Sequence, residues 1–392
     1  MKFLLTPFEH IYFFITSVRN FLYDKGIFKV WKFDDLNIIS VGNVSVGGSG
    51  KTPLVELIAR RLISQGKNVA IVSRGYKSKI KKGVYEVLEN DSPRLVGDEP
   101  YMLYRNLNSS NPSTSNSSAN NLSVNNNLKC KVVVSPKRVK GVRYLRDNYK
   151  NIDTIILDDA MQHRAIYRNT NILCVDVGSK KARRDFLLNE LLPKGFLRES
   201  IYQALRRTTL VVLNHRAPVV ESDFDVREGA IREDNVKEDI KKIKNLIPKN
   251  LRVFESFVYK LSIYDSNFKN VDIEKNIVVF CAISKPVNFF YSLEYFGFKI
   301  IKNYVFLDHR EIKEEKLEQI YNEAKEKNAF VVCTEKDFVK LNRKWQERIF
   351  FAKISIAFRD SNKVNGDEVN DSEVNDSEVN SDDIENDFLN CL

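Results

Sequence analysis

A glycine-rich segment, SVGNVSVGGSGKTP at residues 40–53, has the residue types and spacing of a nucleotide phosphate loop. The common pattern places a glycine five residues before its Gly-Lys-Thr; here that position is Ser45. The glycines between 47 and 50 can adopt positive φ angles and let backbone N–H groups close around phosphate oxygens. Lys51 could reach the β and γ phosphates, and Thr52 could hold Mg²⁺. We therefore predict an ATP site formed by Ser45, Val46, Gly47, Gly48, Ser49, Gly50, Lys51 and Thr52.

A second acidic element is predicted at the end of the apolar run 152–157, where Asp158 and Asp159 follow directly. In P-loop enzymes an acid at this place binds the magnesium ion beside the loop hydroxyl. An ordinary strand end capped by acids would have the same sequence, but the phosphate loop in the same chain favours the metal role. His163 follows closely and could hydrogen-bond a substrate group, although a lone histidine is more often structural.

Four further pairs of polar residues are candidates for chemistry. Asp98-Glu99 precede a predicted helix, where adjacent acids can also serve only as partners of the helix dipole. Asp308-His309 could form an acid–base pair, or a surface turn. Arg74 and Tyr76 follow a strand, where α/β proteins place ligand contacts. Arg198-Glu199 lie in a loop with Pro and Gly, a usual location for functional side chains.

The elements around the loop follow a strand–turn–helix–strand order. Apolar, β-branched runs at 36–41 and 69–73 predict strands, and the periodicity of 52–65 predicts a helix between them. This βαβ unit implies a parallel sheet. Further strands are predicted at 131–135, 154–157, 171–175, 210–213, 277–282 and 330–334, and a helix near 236–247. A glycine-rich turn that binds nothing is disfavoured by this context.

Composition limits the classes of partner. The chain of 392 residues has 62 Lys and Arg against 52 Asp and Glu, and ten of those acids lie in the segment 366–392, which has no Lys or Arg. A basic body favours an anionic partner, although a solvated lysine-rich surface fits as well. No nucleic-acid recognition motif is present, so nucleic acid is not an expected partner. The five cysteines form no C-x-x-C pair and are expected to be reduced core residues.

The N-terminal segment MKFLLTPFEHIYFFITSVRNFLY is rich in large apolar residues. Its longest stretch without charge or histidine is 11–18. A helix needs about 20 apolar residues to span a bilayer, so this stretch is too short. It lacks a small-residue cleavage site, so a secretory signal is not expected. An interfacial membrane helix fits best, and a helix that packs on its own domain or on a partner is the alternative.

The predicted fold is α/β: a P-loop NTPase-like parallel sheet domain plus a second, smaller α/β domain. The predicted parts are a membrane-associated helix at 1–30, the kinase domain at 31–216, a linker at 217–275, the smaller domain at 276–360 and a disordered acidic tail at 361–392. Within the kinase domain, the Asn- and Ser-rich stretch 107–128 is predicted to be a disordered loop because it cannot bury enough apolar surface.

Taken together, the motifs resemble the tetraacyldisaccharide 4'-kinase family, the lipid A 4'-kinases. The resemblance extends from 40 to about 341 and rests on motifs that occur in the family's order: SVGNVSVGGSGKTP, SRGY, VGDEP, DDAMQHR, LLPKGFLRE, part of AISKPVNFF, FLDH and TEKD. Each motif alone is weak, whereas eight in order are strong. A Ser or Thr in place of the first glycine of the loop is itself typical of the family.

The resemblance implies transfer of the γ-phosphate of ATP to the 4'-hydroxyl of a tetraacyldisaccharide 1-phosphate, with Mg²⁺. It implies that Asp98 is the base, assisted by His309, with Lys51 and Asp159 also catalytic. It implies metal contacts from Thr52, Glu99, Asp158 and Asp159, and substrate contacts from Arg74, Tyr76, Arg138, His163, Arg198 and Glu199. It further implies a monomer bound to the cytoplasmic face of the bacterial inner membrane as a peripheral protein.

Three departures from the family pattern remove no proposed catalytic group: Ala160 and Ala282 stand where glycine is usual, and Arg310 follows Asp308-His309. One alternative function is a P-loop switch NTPase or another P-loop kinase with a different acceptor. The guanine-reading N-K-x-D element is not evident, since Asn214 is followed by His215. A nucleic-acid-binding protein is the other alternative, and only the charge suggests it.

Overall fold

A computed structural model describes residues 2–108, 130–218, 236–307, 311–360 and 381–392 of the chain. The helices follow a 3-10 turn at Lys2–Leu5 and are α1 (Thr6–Asp24), α2 (Lys51–Ser64), α3 (Pro93–Val96), α4 (Asp98–Asn108), α5 (Arg138–Asn148), α6 (Lys180–Leu188), α7 (Ile201–Leu205), α8 (Val236–Leu246), α9 (Pro286–Tyr295), α10 (Glu314–Glu326), α11 (Glu335–Phe338), α12 (Arg343–Gln346) and α13 (Ser381–Leu389). The strands are β1 (Asn37–Gly42), β2 (Val69–Ser73), β3 (Tyr85–Glu86), β4 (Lys131–Val134), β5 (Thr154–Asp158), β6 (Thr170–Asp176), β7 (Leu210–Asn214), β8 (Arg252–Tyr264), β9 (Asn276–Cys281), β10 (Lys299–Val305), β11 (Phe330–Thr334) and β12 (Phe350–Asp360). The eight predicted strands and the helices predicted at 52–65 and 236–247 are all present, with ends within one or two residues of the prediction.

The chain divides into two compact units. The first contains Met1–Val55, Leu157–Tyr259 and Ile356–Leu392, and the second contains Glu56–Ile156 and Lys260–Ser355. These bounds do not follow the predicted linear split at 216, because they fall inside α2, β5, β8 and β12. Position along the chain therefore does not mark the boundary between the units.

A parallel sheet forms the centre of the first unit. Its strands lie in the order β12-β8-β7-β6-β1, and β1 pairs with β6, β6 with β7 and β7 with β8 in parallel. The sheet is buried on both faces, as the continuous apolar runs of β6 and β7 require. Since β1, β6 and β7 run the same way, the residues that follow them emerge at one edge of the sheet. That edge positions the phosphate loop.

The second unit has parallel strands of the same kind. β2 pairs with β4 in parallel, with Ser73 opposite Val134, and β3 adds an antiparallel edge to β4. β9 pairs in parallel with β10 and with β11. Both groups of strands are covered by buried apolar side chains. The carboxyl ends of β2 and β4 bring the residues that follow them close together.

Helix α1 has a polar buried face and an apolar exposed face. Glu9, Thr16 and Asn20 are buried. Large apolar side chains on the rest of the helix surface are 39–67% exposed: Phe8, Ile11, Phe13, Phe14, Ile15, Val18 and Phe21. This is the reverse of an ordinary surface helix, in which the apolar side faces the core. Among the described residues, no helix is both long and apolar enough to cross a membrane.

Two predicted segments are corrected by the structure. The predicted linker 217–275 contains α8 and the 13-residue strand β8, which pairs with β7. The predicted disordered tail 361–392 is wrong for its last residues, because 381–389 form α13 and Phe388 is fully buried against Phe254 and Phe358. The acidic composition of the tail predicts disorder, but its last helical turn contains apolar residues that are buried. The insert prediction, apart from residues 107–108 at the end of α4, and the part of the tail at 361–380 lie outside the described residues.

Candidate active site

The phosphate loop connects β1 to α2, which begins at Lys51. Gly47 and Gly50 adopt the predicted positive φ angles, 102° and 73°. Gly48 is not among the residues with positive φ, so the prediction is wrong for this glycine. The first half of the loop is fixed by Val46, whose N–H donates to the Phe196 carbonyl at 2.8 Å. The loop thus has the backbone shape that can present N–H groups to phosphate.

Lys51 is held by three oxygen atoms of the same unit. Its Nζ donates to Asn43 Oδ1 at 3.1 Å and to Ser49 Oγ at 3.2 Å, and it lies 3.4 Å from Asp159 Oδ1. Its side chain is 12% exposed. The ammonium is therefore ordered beside the loop and has several oxygen partners that an anionic ligand could replace.

Asp158 and Asp159 lie at the carboxyl end of β5, as predicted. The Asp158 side chain is buried, whereas that of Asp159 is 37% exposed. Asp159 has a φ of 44°, an uncommon conformation for a non-glycine residue. The turn that this conformation makes aims the second carboxylate at Lys51 of the loop, at the distance given above.

Arg198 holds Asp159 with a two-bond contact. Its guanidinium donates to the two carboxylate oxygens of Asp159 at 3.1 Å and 2.9 Å, and to the Asn43 carbonyl at 2.9 Å. The backbone N–H of Arg198 donates to the Val44 carbonyl at 2.6 Å. A planar guanidinium that binds a carboxylate with two parallel bonds fixes both its position and its orientation. Arg198 therefore orients Asp159.

Glu199 has a different place from the one predicted. Its side chain is fully buried, and its carboxylate accepts hydrogen bonds from Arg207 (2.5 Å), Gln162 (3.0 Å) and Asn20 (3.3 Å). A carboxylate with these partners and no exposed surface is placed to support the loop around Arg198. We therefore replace the predicted substrate contact of Glu199 with a structural role.

His163 lies in the turn that follows the acid pair. Its backbone N–H donates to the Ala160 carbonyl at 2.9 Å, and its own carbonyl accepts from Arg168. The side chain is half-buried. Ala160, at the usual glycine position of the family, is fully buried and therefore fits the turn without exposing its methyl group.

In the second unit, the structure brings together Arg74, Tyr76 and the Asp98-Glu99 pair. Arg74 and Tyr76 follow β2 and are exposed. The Tyr76 carbonyl lies so close to Gly97 that an added Cβ there would be 3.1 Å away, and α4 begins at the next residue, Asp98. Both acids are half-buried in the first turn of α4. The tyrosine loop and the acid pair thus form one local surface.

Arg138 opens α5, directly after β4, the strand that pairs with β2. Its side chain is buried, at 5% exposure. The location at the carboxyl end of β4 agrees with the prediction, but the burial leaves little of the guanidinium available to a ligand. His309 and its neighbour Asp308 lie outside the described residues.

The described residues fit Mg²⁺ by the chemistry of their donors. Within the described ranges, no group of three or more His, Cys, Asp or Glu side chains is arranged to hold a metal by itself. Magnesium in phosphoryl-transfer sites usually takes only one or two carboxylates and fills its shell with phosphate oxygens and water. The hydroxyl of Thr52, a half-buried residue, and the carboxylates of Asp158 and Asp159 supply oxygen donors of this kind.

Three site residues were missed by the sequence reasoning. Asn43 accepts from Lys51 and Arg198, and Gln162 donates to the Asn43 carbonyl at 2.8 Å. Cys174 is buried under the loop, where its Sγ donates to the Ser49 carbonyl at 3.5 Å, and burial raises the pKa of its thiol to about 11. Asn43 and Gln162 lie inside motifs used for the resemblance, so their polar side chains beside a phosphate loop could have been noted. Cys174 gave no signal beyond its place in a strand.

Comparison with known proteins gives a consistent result. A model of the tetraacyldisaccharide-1-P 4'-kinase family, LpxK, matches residues 1–115 and 120–368. Proteins named tetraacyldisaccharide 4'-kinase match over most of their length: the chain is 33% identical to that of Chlorobaculum tepidum over 348 residues (86% of each chain) and 32% identical to that of Flavobacterium psychrophilum over 365 residues (92% and 93%).

A solved structure is also similar. The crystal structure of LpxK from Aquifex aeolicus in complex with ATP has a TM-score of 0.65 and 28% identity, and it covers 93% of this chain and 96% of that one. The similarity extends over both α/β parts of the predicted fold. It therefore confirms the predicted fold class.

Proposed function

The chain belongs to the tetraacyldisaccharide-1-P 4'-kinase family, and from this premise we propose how its own residues share the work of the reaction. The enzyme is an ATP-dependent kinase of lipid A biosynthesis that transfers the γ-phosphate of ATP to a hydroxyl of an acylated disaccharide 1-phosphate. The observation that best supports this assignment of roles is the cluster of Lys51, Asp159 and Arg198 at the phosphate loop.

The loop and Lys51 bind the phosphates. Gly47 and Gly50 turn the backbone so that N–H groups face the anion, and the N-terminus of the 14-residue helix α2 adds positive potential. Lys51, which contacts Asp159 in this structure, is placed to exchange that contact for phosphate oxygens. Phosphoryl transfer requires positioning and charge neutralisation more than covalent help.

Thr52, Asp158 and Asp159 would hold magnesium, which neutralises phosphate charge when it is bound. Arg198 fixes the Asp159 carboxylate through two bonds, so that this ligand does not have to reorganise when the nucleotide arrives. Preorganised charge of this kind is worth more than charge that must first be ordered. Glu99 is proposed as a further acid on the metal side.

Asp98 is proposed as the base that accepts the proton of the sugar hydroxyl, with His309 as its partner. A half-buried carboxylate in the first turn of α4 is supported by the helix and remains accessible. Arg74 and Tyr76, adjacent to this acid pair, are proposed to contact the substrate, and so is His163, whereas the buried Arg138 is not. A basic, aromatic loop suits a phosphorylated sugar.

Helix α1 is proposed to bind the cytoplasmic face of the bacterial inner membrane, where ATP and an acylated substrate can meet. Its polar face is packed on its own unit and its apolar face is exposed. An apolar helix face of this size is suited to the boundary between headgroups and acyl chains. The protein is proposed to act as a peripheral monomer, which sedimentation of the detergent-solubilised enzyme would test.

A phosphate-transfer assay tests the function directly. The purified protein is incubated with γ-labelled ATP and a tetraacyldisaccharide 1-phosphate in detergent, beside Lys51→Ala and Lys241→Ala, a control variant at an exposed lysine on α8. We expect labelled lipid from the wild type and the control, and a loss of at least 100-fold in Lys51→Ala. ATP hydrolysis without labelled lipid would refute the acceptor and withdraw the roles of Asp98 and His309.

Binding to vesicles tests the membrane role. Phe14→Ser combined with Ile15→Ser removes two side chains that are 67% and 59% exposed, each worth up to about 1.5–3 kcal/mol when fully buried in lipid. We expect at least tenfold weaker binding to vesicles. Leu188→Ser, an equally exposed apolar residue at the end of α6, is the matched control. Equal binding of all three proteins would place the anchor elsewhere.

A further inference from the structure

Two strand ends of the first unit carry polar residues whose side chains turn toward the phosphate loop. Asp176 ends β6 and Asn214 ends β7, and the two are register partners in the sheet. Both are buried, at 4% and 3% exposure. Arg216 follows two residues later with a φ of 60°, which is uncommon for a residue with a side chain. None of the three belongs to the motifs that indicated the kinase.

These residues bind the carbonyl groups of the loop. Asn214 Nδ2 donates to the Ser49 carbonyl at 3.1 Å and to the Gly50 carbonyl at 3.4 Å. The Arg216 guanidinium donates to the Gly48 carbonyl at 2.6 Å. Three consecutive carbonyls of the phosphate loop are thus hydrogen-bonded to the turn after β7.

The turn is itself held in place. Arg216 forms an ion pair with Asp176 at 3.1 Å, and its backbone N–H donates to Asn214 Oδ1 at 2.9 Å. His215 Nε2 lies 2.7 Å from a carboxylate oxygen of Glu255 on β8. The backbone at Gly50 is so close to the Asn214 amide that an added Cβ would lie 2.3 Å from Nδ2. Side chains, turn and loop are therefore fitted to each other.

The direction of these bonds has a consequence for anion binding. A loop can cradle phosphate only if its carbonyls point away from the anion, because carbonyl oxygens repel it and N–H groups attract it. Donors that bind the carbonyls of residues 48–50 favour that peptide orientation. They also reduce the free-energy cost of ordering the loop when ATP binds.

We propose that Asp176, Asn214 and Arg216 are positioning residues that hold the phosphate loop in its ATP-binding conformation before ATP arrives. The proposal rests on the proposed function of the loop as the ATP site. Because Arg216 is neutralised by Asp176, its contribution is the geometry of the loop. Loss of the hydrogen bonds from these residues to the loop weakens ATP binding and leaves the transfer step and the lipid site unchanged.

The test uses the full chain with Arg216→Ala and Arg216→Lys. Lysine retains a charge for Asp176 but replaces the rigid fork by a single ammonium. We expect Arg216→Ala to raise the KM for ATP about tenfold, which corresponds to about 1.4 kcal/mol, with kcat and the lipid KM within about twofold of the wild type. Arg216→Lys is expected to recover part of the ATP affinity. Arg206→Ala, an exposed arginine of the same unit, is the control.

Hydrogen exchange without nucleotide gives an independent reading. The amides of residues 47–52 are expected to exchange faster in Arg216→Ala than in the wild type, while those of β6 and β7 keep their protection. An unchanged KM for ATP together with unchanged loop exchange would overturn the proposal, and so would a fall in kcat at constant KM. If wild-type enzyme bound ATP but labelled no lipid, the proposed acceptor would be wrong. The effect of Arg216→Ala on ATP affinity and on hydrogen exchange in the loop would still decide whether Asp176, Asn214 and Arg216 position the loop.

Discussion

The contact between Arg198 and Asp159 gives the sharpest test of the site. Replacing Arg198 by alanine removes two bonds to Asp159, at 3.1 Å and 2.9 Å, one to the Asn43 carbonyl at 2.9 Å and one to Asn43 Oδ1. Asp159 would keep its contact with Lys51, 3.4 Å away, but would lose the guanidinium that fixes its orientation. The carboxylate would then be less ordered, and it would compete with phosphate for the ammonium of Lys51.

The expected size follows from the exposure of the pair. A hydrogen bond to a charged group contributes about 1.5–3 kcal/mol. Because Asp159 is 37% exposed and Arg198 23% exposed, water replaces part of what is lost. We therefore take the range of one such bond for the whole contact. That range corresponds to a fall in kcat of roughly 10- to 150-fold.

The assay is steady-state phosphate transfer to the lipid acceptor, with ATP and lipid varied separately. Arg198→Lys keeps the charge without the two-bond geometry and should lie between wild type and Arg198→Ala. Arg184→Ala, which removes an arginine 55% exposed in the same unit, should behave as wild type. If folded Arg198→Ala kept kcat within about threefold of wild type, the orientation of Asp159 would not matter for transfer and the reasoning would be wrong.

Three further predictions concern stability and accessibility. Burial alone would raise the pKa of Glu56, but the positive charges of Lys353 and Arg60 more than offset burial and hold this pKa below its ordinary value. The stability that this carboxylate contributes is therefore present above about pH 4.5 and is lost as the pH falls toward the pKa of the folded state. Glu56→Gln should cost about 3–5 kcal/mol at pH 7 and flatten the decline of unfolding free energy between pH 5 and 3, measured by urea unfolding; an unchanged pH dependence would contradict the assignment. Phe388→Ala, at a buried aromatic cluster, should lower the unfolding free energy by about 3–5 kcal/mol because α13 is docked through this ring, and no change in the urea midpoint would contradict the docking. An alkylating reagent should rapidly modify one thiol of the native protein, that of the half-buried Cys391, because the other four cysteines are buried. Mass spectrometry would count the labelled sites, and rapid labelling of a second thiol would contradict the burial.

The core of the first unit could be predicted from sequence because each of its signals is local. The apolar runs of β6 and β7 lie within one residue of the strands predicted for them, and the loop motif is fixed by spacing alone. Lys51 and Asp159 are far apart in sequence, yet the rule that parallel strands present their carboxyl ends at one edge is enough to bring them together.

Other features could not be predicted, because they depend on tertiary partners. The strand β8 alternates polar and apolar residues within a charged region, and it becomes recognisable only beside β7. Glu199 follows Arg198 directly, yet one orients a carboxylate at the site and the other is fully buried with Arg207. Helix α13 is encoded in an acidic repeat whose composition indicates disorder, and only the position of Phe388 against two aromatic rings explains its order.

If α1 binds the membrane as proposed, membrane binding and catalysis share one element. The Tyr12 hydroxyl donates to the Arg198 carbonyl at 2.9 Å, and Asn20 donates to Glu199 at 3.3 Å, so the polar face of the helix supports the loop that orients Asp159. Deleting residues 1–25 should therefore lower transfer activity even when the lipid is presented in detergent.

The double substitution Phe14→Ser and Ile15→Ser changes only the exposed face and should leave activity in detergent within about twofold of wild type while vesicle binding falls. Tyr12→Phe, which removes only the hydroxyl bond to Arg198, should show the opposite pattern: vesicle binding is kept and kcat declines. Since the two faces of one helix are altered separately, vesicle binding and kcat should change independently in these variants. If Tyr12→Phe and the deletion both retained full activity in detergent, α1 would serve the membrane alone, and the contact with Arg198 would have no part in positioning Asp159.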